Sequence, residues 1–232
     1  MKNKLYYSTA ILILVFSSCN KDIGEQIQTR IQVPEFYSLR QDAATDIVLL
    51  QGSNYAVDFE GSDIILGDLD FRVVNQILVI TQHGHYGYSG HSTIYITVPD
   101  LISIENSGSG DIYNDSRFRF KGEVQLIVGS SGDIDLNIDA PALSSYMHGS
   151  GDLRLRGYAD DHFIEHDGFG TFYGFNLQTD KTNISQYSSG NAEIQVRNYF
   201  KVRLRGSGDI YFIGSPFVDY FVPGSGRLID SN

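Results

Sequence analysis

The sequence predicts an all-β protein, a single-domain β-solenoid with rungs of about 18–22 residues and Gly-Ser-Gly-Asp corners. Three observations carry that expectation. A five-residue phrase, Gly108-Ser-Gly-Asp-Ile112, recurs at near-constant spacing. The body consists of short β-rich runs, and nothing of ten or more residues has helical periodicity. The composition has 24 glycines, 15 tyrosines and 14 phenylalanines but five prolines, which suits many turns between strands with half-wet aromatic faces.

Taken from the start, Lys2 and Lys4 precede the apolar run Ala10–Phe16, followed by Ser17, Ser18 and Cys19. A basic start, a short apolar run and small residues describe a secretion signal, too short to span a bilayer comfortably. The single cysteine directly after the small pair looks like the acylation site of a bacterial lipoprotein. Phe16 stands where Leu is usual in such boxes, and Ser18 where Gly or Ala is usual. The expected division is residues 1–18 signal peptide, 19–32 lipidated Cys19 and polar tether, and 33–232 solenoid. One cysteine leaves no intrachain disulfide and no multi-cysteine metal site. The formal charge is −11, and removing residues 1–18 makes it −13, so nucleic acid is not an expected partner.

From 31 to 100 come β-rich runs such as Ile47–Leu50, Tyr55–Phe59, Ile77–Ile80 and Thr93–Val98, several bounded by turn residues. Gln82–His91 is a polar, Gly-studded loop.

From 101 onward the second Gly of each phrase falls at 110, 132, 151, 170, 190, 208 and 226, steps of 22, 19, 19, 20, 18 and 18. Such a period marks a repeat architecture. Aligning the glycines yields three apolar columns: Ile104, Leu126, Ser145, Ile164, Ile184, Val202 and Tyr220; Ile102, Val124, Leu143, His162, Thr182, Phe200 and Val218; and Ile112, Ile134, Leu153, Phe172, Ala192, Ile210 and Leu228. Steps of two within a strand place these side chains on one face, toward a shared interior. At the corner, Gly supplies φ > 0 or close backbone approach, and Asp is expected to fold its carboxylate onto N–H groups of its own turn. The segment 215–232 keeps the repeat length and is expected to be the last rung and a partial cap. Pro216 and Pro223 there should discourage a further strand.

The lipoprotein start, the Ile94–Pro99 strand ending in Val-Pro, and the repeated Gly-Ser-Gly-Asp-Ile resemble the head-GIN domain family of auto-transporter adhesins. The resemblance covers roughly Val33 to the C-terminus. It implies a β-helical body in the cell envelope, attached to the outer membrane and either periplasmic or surface-exposed, and it brings no catalytic residues. Thr171, Asn191 and Arg227 replace the Asp in three copies.

Candidate chemistry is sparse. Asp111, Asp133 and Asp152, with Asp209 further on, share a column; consecutive rungs bring the first three within about 5 Å of one another, where a Ca²⁺ ion could relieve repulsion unless each carboxylate is occupied by its corner. No nonapeptide calcium-roll period is present. His83, His85 and His91 share one loop but show no four-ligand pattern, and His162 and His166 fall in inward positions. Asp160, Asp161, Glu165 and Asp167 form the densest acidic cluster, the one place for a glycan-active enzyme. No catalytic, cofactor or metal residue is assigned. The expected activity is non-catalytic binding of glycan or protein through a solenoid face, with Tyr86, Tyr88, Tyr113 and Tyr211 as exposed candidates. The alternative is an envelope scaffold, a homo-oligomer joined through its solenoid ends.

Overall fold

The computed structural model describes residues 24–84 and 92–232. The chain winds a β-solenoid of about seven turns. Its elements are β1 (Gln26–Ile31), β2 (Ser38–Asp42), β3 (Asp46–Gln51), β4 (Ala56–Ser62), α1 (Asp63–Asp68), β5 (Leu69–Val74), β6 (Ile77–Gln82), β7 (Thr93–Val98), β8 (Ser103–Asn106) and β9 (Ile112–Tyr113). They continue as β10 (Phe118–Arg119), β11 (Glu123–Val128), β12 (Ile134–Met147), β13 (Leu153–His166), β14 (Phe172–Gln186), β15 (Ala192–Leu204), β16 (Ile210–Ile213), β17 (Phe217–Phe221) and β18 (Leu228–Asp230).

Every pairing from β8 onward is parallel, and the register is the one the repeats predict. Ile104 lies beside Leu126, then Ser145, Ile164, Ile184, Val202 and Tyr220. Ile112, Ile134, Leu153, Phe172, Ala192, Ile210 and Leu228 form a second unbroken column. From Ile112 to Ile210 that column is sealed from solvent. Each such aliphatic or aromatic side chain contributes about 1.5–3 kcal/mol by leaving water. No rung could achieve this alone, so the stack is the folding unit. Ile102 departs from its column and is exposed, because Leu101 takes the interior position ahead of β8.

The amino-terminal third is threaded differently. β2 and β3 form one rung, but it lies between the β6–β7 rung and the β8–β9 rung, pairing in parallel with both. The chain reaches β6 through β4, α1 and β5, and these cover the first end of the stack. β4 runs antiparallel to β7, and β5 antiparallel to β6. Residues 26–31, expected in the tether, are strand β1, antiparallel to β4. Val57, Phe59 and Ile65 bury that end of the core.

The corner between β2 and β3, Ala43-Ala-Thr-Asp46, is an additional copy of the motif without glycine. Ile47 pairs with Ile112 as the other copies do. The physical reason lies in the stacking. A Cβ on Gly110, Gly132, Gly151, Gly170 or Gly208 would collide with the backbone carbonyl of the preceding corner. The strands on that side of the Ala43–Thr45 corner, β6 and β7, are joined by ten residues, 83–92, a longer connection in sequence than the other corners. The corner glycines do not have positive φ; that property belongs to Gly24, Gly61, Gly84, Gly157 and Gly214. Close approach alone requires them.

Candidate functional site

The corner aspartates do not close their own turns, contrary to expectation. Each reaches one rung onward. Asp46 Oδ1 accepts from the Asp111 N–H at 2.9 Å, Asp111 from Asp133 at 2.8 Å, Asp133 from Asp152 at 2.7 Å and Asp152 from Thr171 at 2.8 Å. The ladder resumes where Asn191 accepts from Asp209 and Asp209 from Arg227. At these largely exposed positions each link is worth about 0.5–1.5 kcal/mol. Thr171 is the break, having no carboxylate or amide to offer.

Repulsion within the column is relieved by protein cations. Arg154 bridges Asp133 and Asp152, both at 2.6 Å, and Arg227 holds Asp209 at 2.6 Å. The Arg227 hydrogen bond holds the Asp209 carboxyl below the usual range. Asp111 lacks such a partner; partial burial, with Asp133 and Asp46 nearby, pushes its carboxyl up. Among the described residues no group of three or more His, Cys, Asp and Glu side chains is arranged to hold a metal ion.

Two residues beyond this ladder the side chains point outward and line up along the solenoid axis. The row runs Tyr95, Val48, Tyr113, Asp135, Arg154, Tyr173, Glu193, Tyr211 and Ile229, each beside the next by strand register. At about 4.8 Å per rung the stretch from Tyr95 to Tyr211 is about 34 Å long. Two tyrosines flank buried Val48, and Arg154 lies 4.7 Å over the Tyr173 ring. Tyr95 and Tyr113 stay neutral phenols, since burial first and then nearby carboxylates push both up. Two hollows open on this face. One, of about 330 Å³, is lined by Asp111, Tyr113, Asp133, Asp135 and Arg154. The other, of about 450 Å³, adjoins Tyr95 and is lined by Gln28, Arg30, Leu50, Asp58 and Glu60 among others. Aromatic faces alternating with fixed hydrogen-bonding groups can hold an extended polar ligand.

The remaining candidates separate. Tyr113 and Tyr211 belong to the row, whereas Cys19, Tyr86, Tyr88, His85 and His91 lie outside the described residues. The acidic cluster disperses: Asp161 pairs with Lys181 at 3.5 Å, Asp167 with His148 at 2.6 Å, and Asp160 with the Tyr158 phenol. Glu165 stands apart on the outer face of β13. His162 is sealed in the core, 2.9 Å from the Ser145 hydroxyl, and burial lowers it to about 3. Neither member of that pair is open to a substrate.

One set of buried polar residues was read from the sequence only at His166. Gln41, Asn106, His166 and Gln186 lie fully inside, each donating across its corner to a carbonyl four residues on, at 2.8–2.9 Å. The signal was present, since these polar residues share a column with Val128, Met147 and Leu204.

A parallel β-solenoid with a covered first end and an aromatic outer row defines the class of this molecule: a repeat-built scaffold with a long flat outer face. The chain belongs to the family described as "Putative auto-transporter adhesin, head GIN domain", whose model matches residues 35–216. It is similar in fold to a crystal structure of a protein named a putative adhesin from Bacteroides fragilis, with TM-score 0.78 at 21% identity over 88% of this chain and 95% of that one. A Parabacteroides distasonis protein with the same name gives TM-score 0.64 at 17% identity, over 88% and 96%. A second protein from that organism, named a putative lipid binding protein, gives 0.67 at 18%, over 88% and 97%. Comparison with curated proteins finds no match.

Proposed function

We propose that this chain is a lipid-anchored protein of the cell envelope that binds an extended glycan, without chemistry, along the row from Tyr95 to Tyr211. The observation that carries the reading is that row: four tyrosines interleaved with Asp135, Arg154 and Glu193 on one flat face. Aromatic faces suit the apolar faces of sugar rings, and planar charged groups suit their hydroxyls. A rung rise of about 4.8 Å is close to the advance per sugar in an extended chain, so one solenoid turn can address one sugar. The Asp46–Asp152 ladder beside the row favours neutral or amine-bearing glycans over strongly anionic ones. Family membership supports the adhesive role, and the Cys19 box supports the anchor.

Screening the protein against linear glycans tests the binding. Retention of a neutral or amino-sugar polymer, lost at least tenfold in Tyr113→Ala/Tyr211→Ala while the melting temperature holds, is the expected result. Binding unchanged in that variant, or release of shortened products, contradicts the reading. The anchor has its own test. Cys19→Ala should leave the membrane fraction, since two or more acyl chains are needed for stable attachment; a variant that stays through a high-salt wash rules the anchor out.

A further inference from the structure

The two ends of the solenoid differ. At the first end, Leu78, Ile80, Ile94 and Ile96 are sealed beneath β4, α1 and β5. At the last end nothing among the described residues plays that part. β17 pairs only with β15, and β18 only with β16, so the far side of each has no partner strand. The core itself opens there. Tyr220 stands in the column in which Ile164, Ile184 and Val202 are 0% exposed, yet it is 65% exposed. Phe217 and Phe221 beside it are 71% and 52% exposed. An uncovered rung of this kind templates association.

Pro216 and Pro223 do not prevent it. They border β17 rather than interrupt it, so all five residues from Phe217 to Phe221 keep their N–H groups. The charges on this rung are mostly neutralised from beneath, Asp219 by Arg203 at 3.5 Å and Arg227 by Asp209 at 2.6 Å. The end therefore presents apolar and backbone surface with little net charge, on a chain whose total is −11.

We propose that the C-terminal rung is the contact face of a two-fold, tail-to-tail dimer of this chain. An extended peptide could add alongside β17 or β18 but not both, and would leave Tyr220 wet. A second C-terminal rung matches both strand edges and the open core between them. The covered first end blocks head-to-tail addition, so the assembly closes at two copies instead of growing into a fibre. This contact uses a different surface from the glycan row and stands independently of it.

Sedimentation of the full chain in detergent, over a wide concentration range, tests the proposal. The expected result is a monomer–dimer equilibrium in wild type that shifts at least tenfold toward monomer in Tyr220→Lys/Phe221→Lys. These side chains are exposed, so the double variant should keep the wild-type circular dichroism and melting temperature at low concentration. Gln28→Lys, on β1 at the other end, should leave the dimer intact. A wild-type chain that stays monomeric throughout, a dimer that survives Tyr220→Lys/Phe221→Lys, or species growing beyond two copies would each overturn it.

Discussion

Gly151 and Asp152 sit side by side in one corner but act on different things. A Cβ at 151 would collide with the Gly132 carbonyl, a backbone atom of the corner stacked against it that no side-chain rotation can move aside. Gly151→Ala should therefore cost on the order of 1–3 kcal/mol. Asp152→Asn keeps the acceptor for the Thr171 N–H and gives up only its half of the Arg154 bridge, worth about 1 kcal/mol or less at this exposure. Urea titrations of the two variants should separate them clearly, and equal losses would refute the stacking account of the corner. The need for glycine was legible in the repeated phrase, but its cause was not. Positive φ and close approach leave the same residue in the sequence, and only the position of the neighbouring rung distinguishes them. The target of the aspartate was hidden for the same reason.

His162 makes a second residue-scale prediction. Its folded pKa of about 3 lies below the ordinary value of about 6.5, so the neutral ring is favoured in the core. The stability that depends on a neutral ring is fully present above pH 6.5 and is lost as pH falls toward 3. The loss at pH 4 is on the order of 3 kcal/mol. In His162→Leu the drop in melting temperature between pH 7 and pH 4.5 should shrink, whatever the variant costs at pH 7. An unchanged drop would mean that acid acts elsewhere.

At the scale of elements, the last rung decides how the far end behaves. β17 and β18 continue the ladder of β15 and β16, and Val218, Val222 and Leu228 pack partly on the core. Truncation after Gly214 should bare Phe200, Val202, Leu204 and Phe212 and cause concentration-dependent aggregation in light scattering. A truncated chain that stays dispersed and melts at the wild-type temperature would make this rung dispensable. Its existence was legible because the repeat length persists. Its exposure was not, since a column position says which way a side chain points and not whether another rung lies above it. The antiparallel cover at the first end was less legible still. β1, β4 and β5 carry no repeat, and their alternation of half-buried residues fits a tether, an edge or a rung equally well. The corner at 43–46 was missed because it lacks the glycines that made the others visible.

For the molecule as a whole, the features fall into a sequence along one axis. Cys19 precedes the covered end by a few residues, the tyrosine row runs along the flank, and the open rung lies at the opposite end. The row was half legible: Tyr113 and Tyr211 stood out as exposed aromatics, but Tyr95 and Tyr173 joined them only once register brought distant positions together. Binding along the row is the central claim, and its most direct test is how affinity depends on ligand length. Calorimetric titration with oligosaccharides of increasing length from one retained glycan should show affinity rising until the ligand spans Tyr113 to Tyr211, about 24 Å over five rungs, with little gain beyond the full row. Affinity that is already complete with the shortest oligomer, or that is absent at every length, would contradict it.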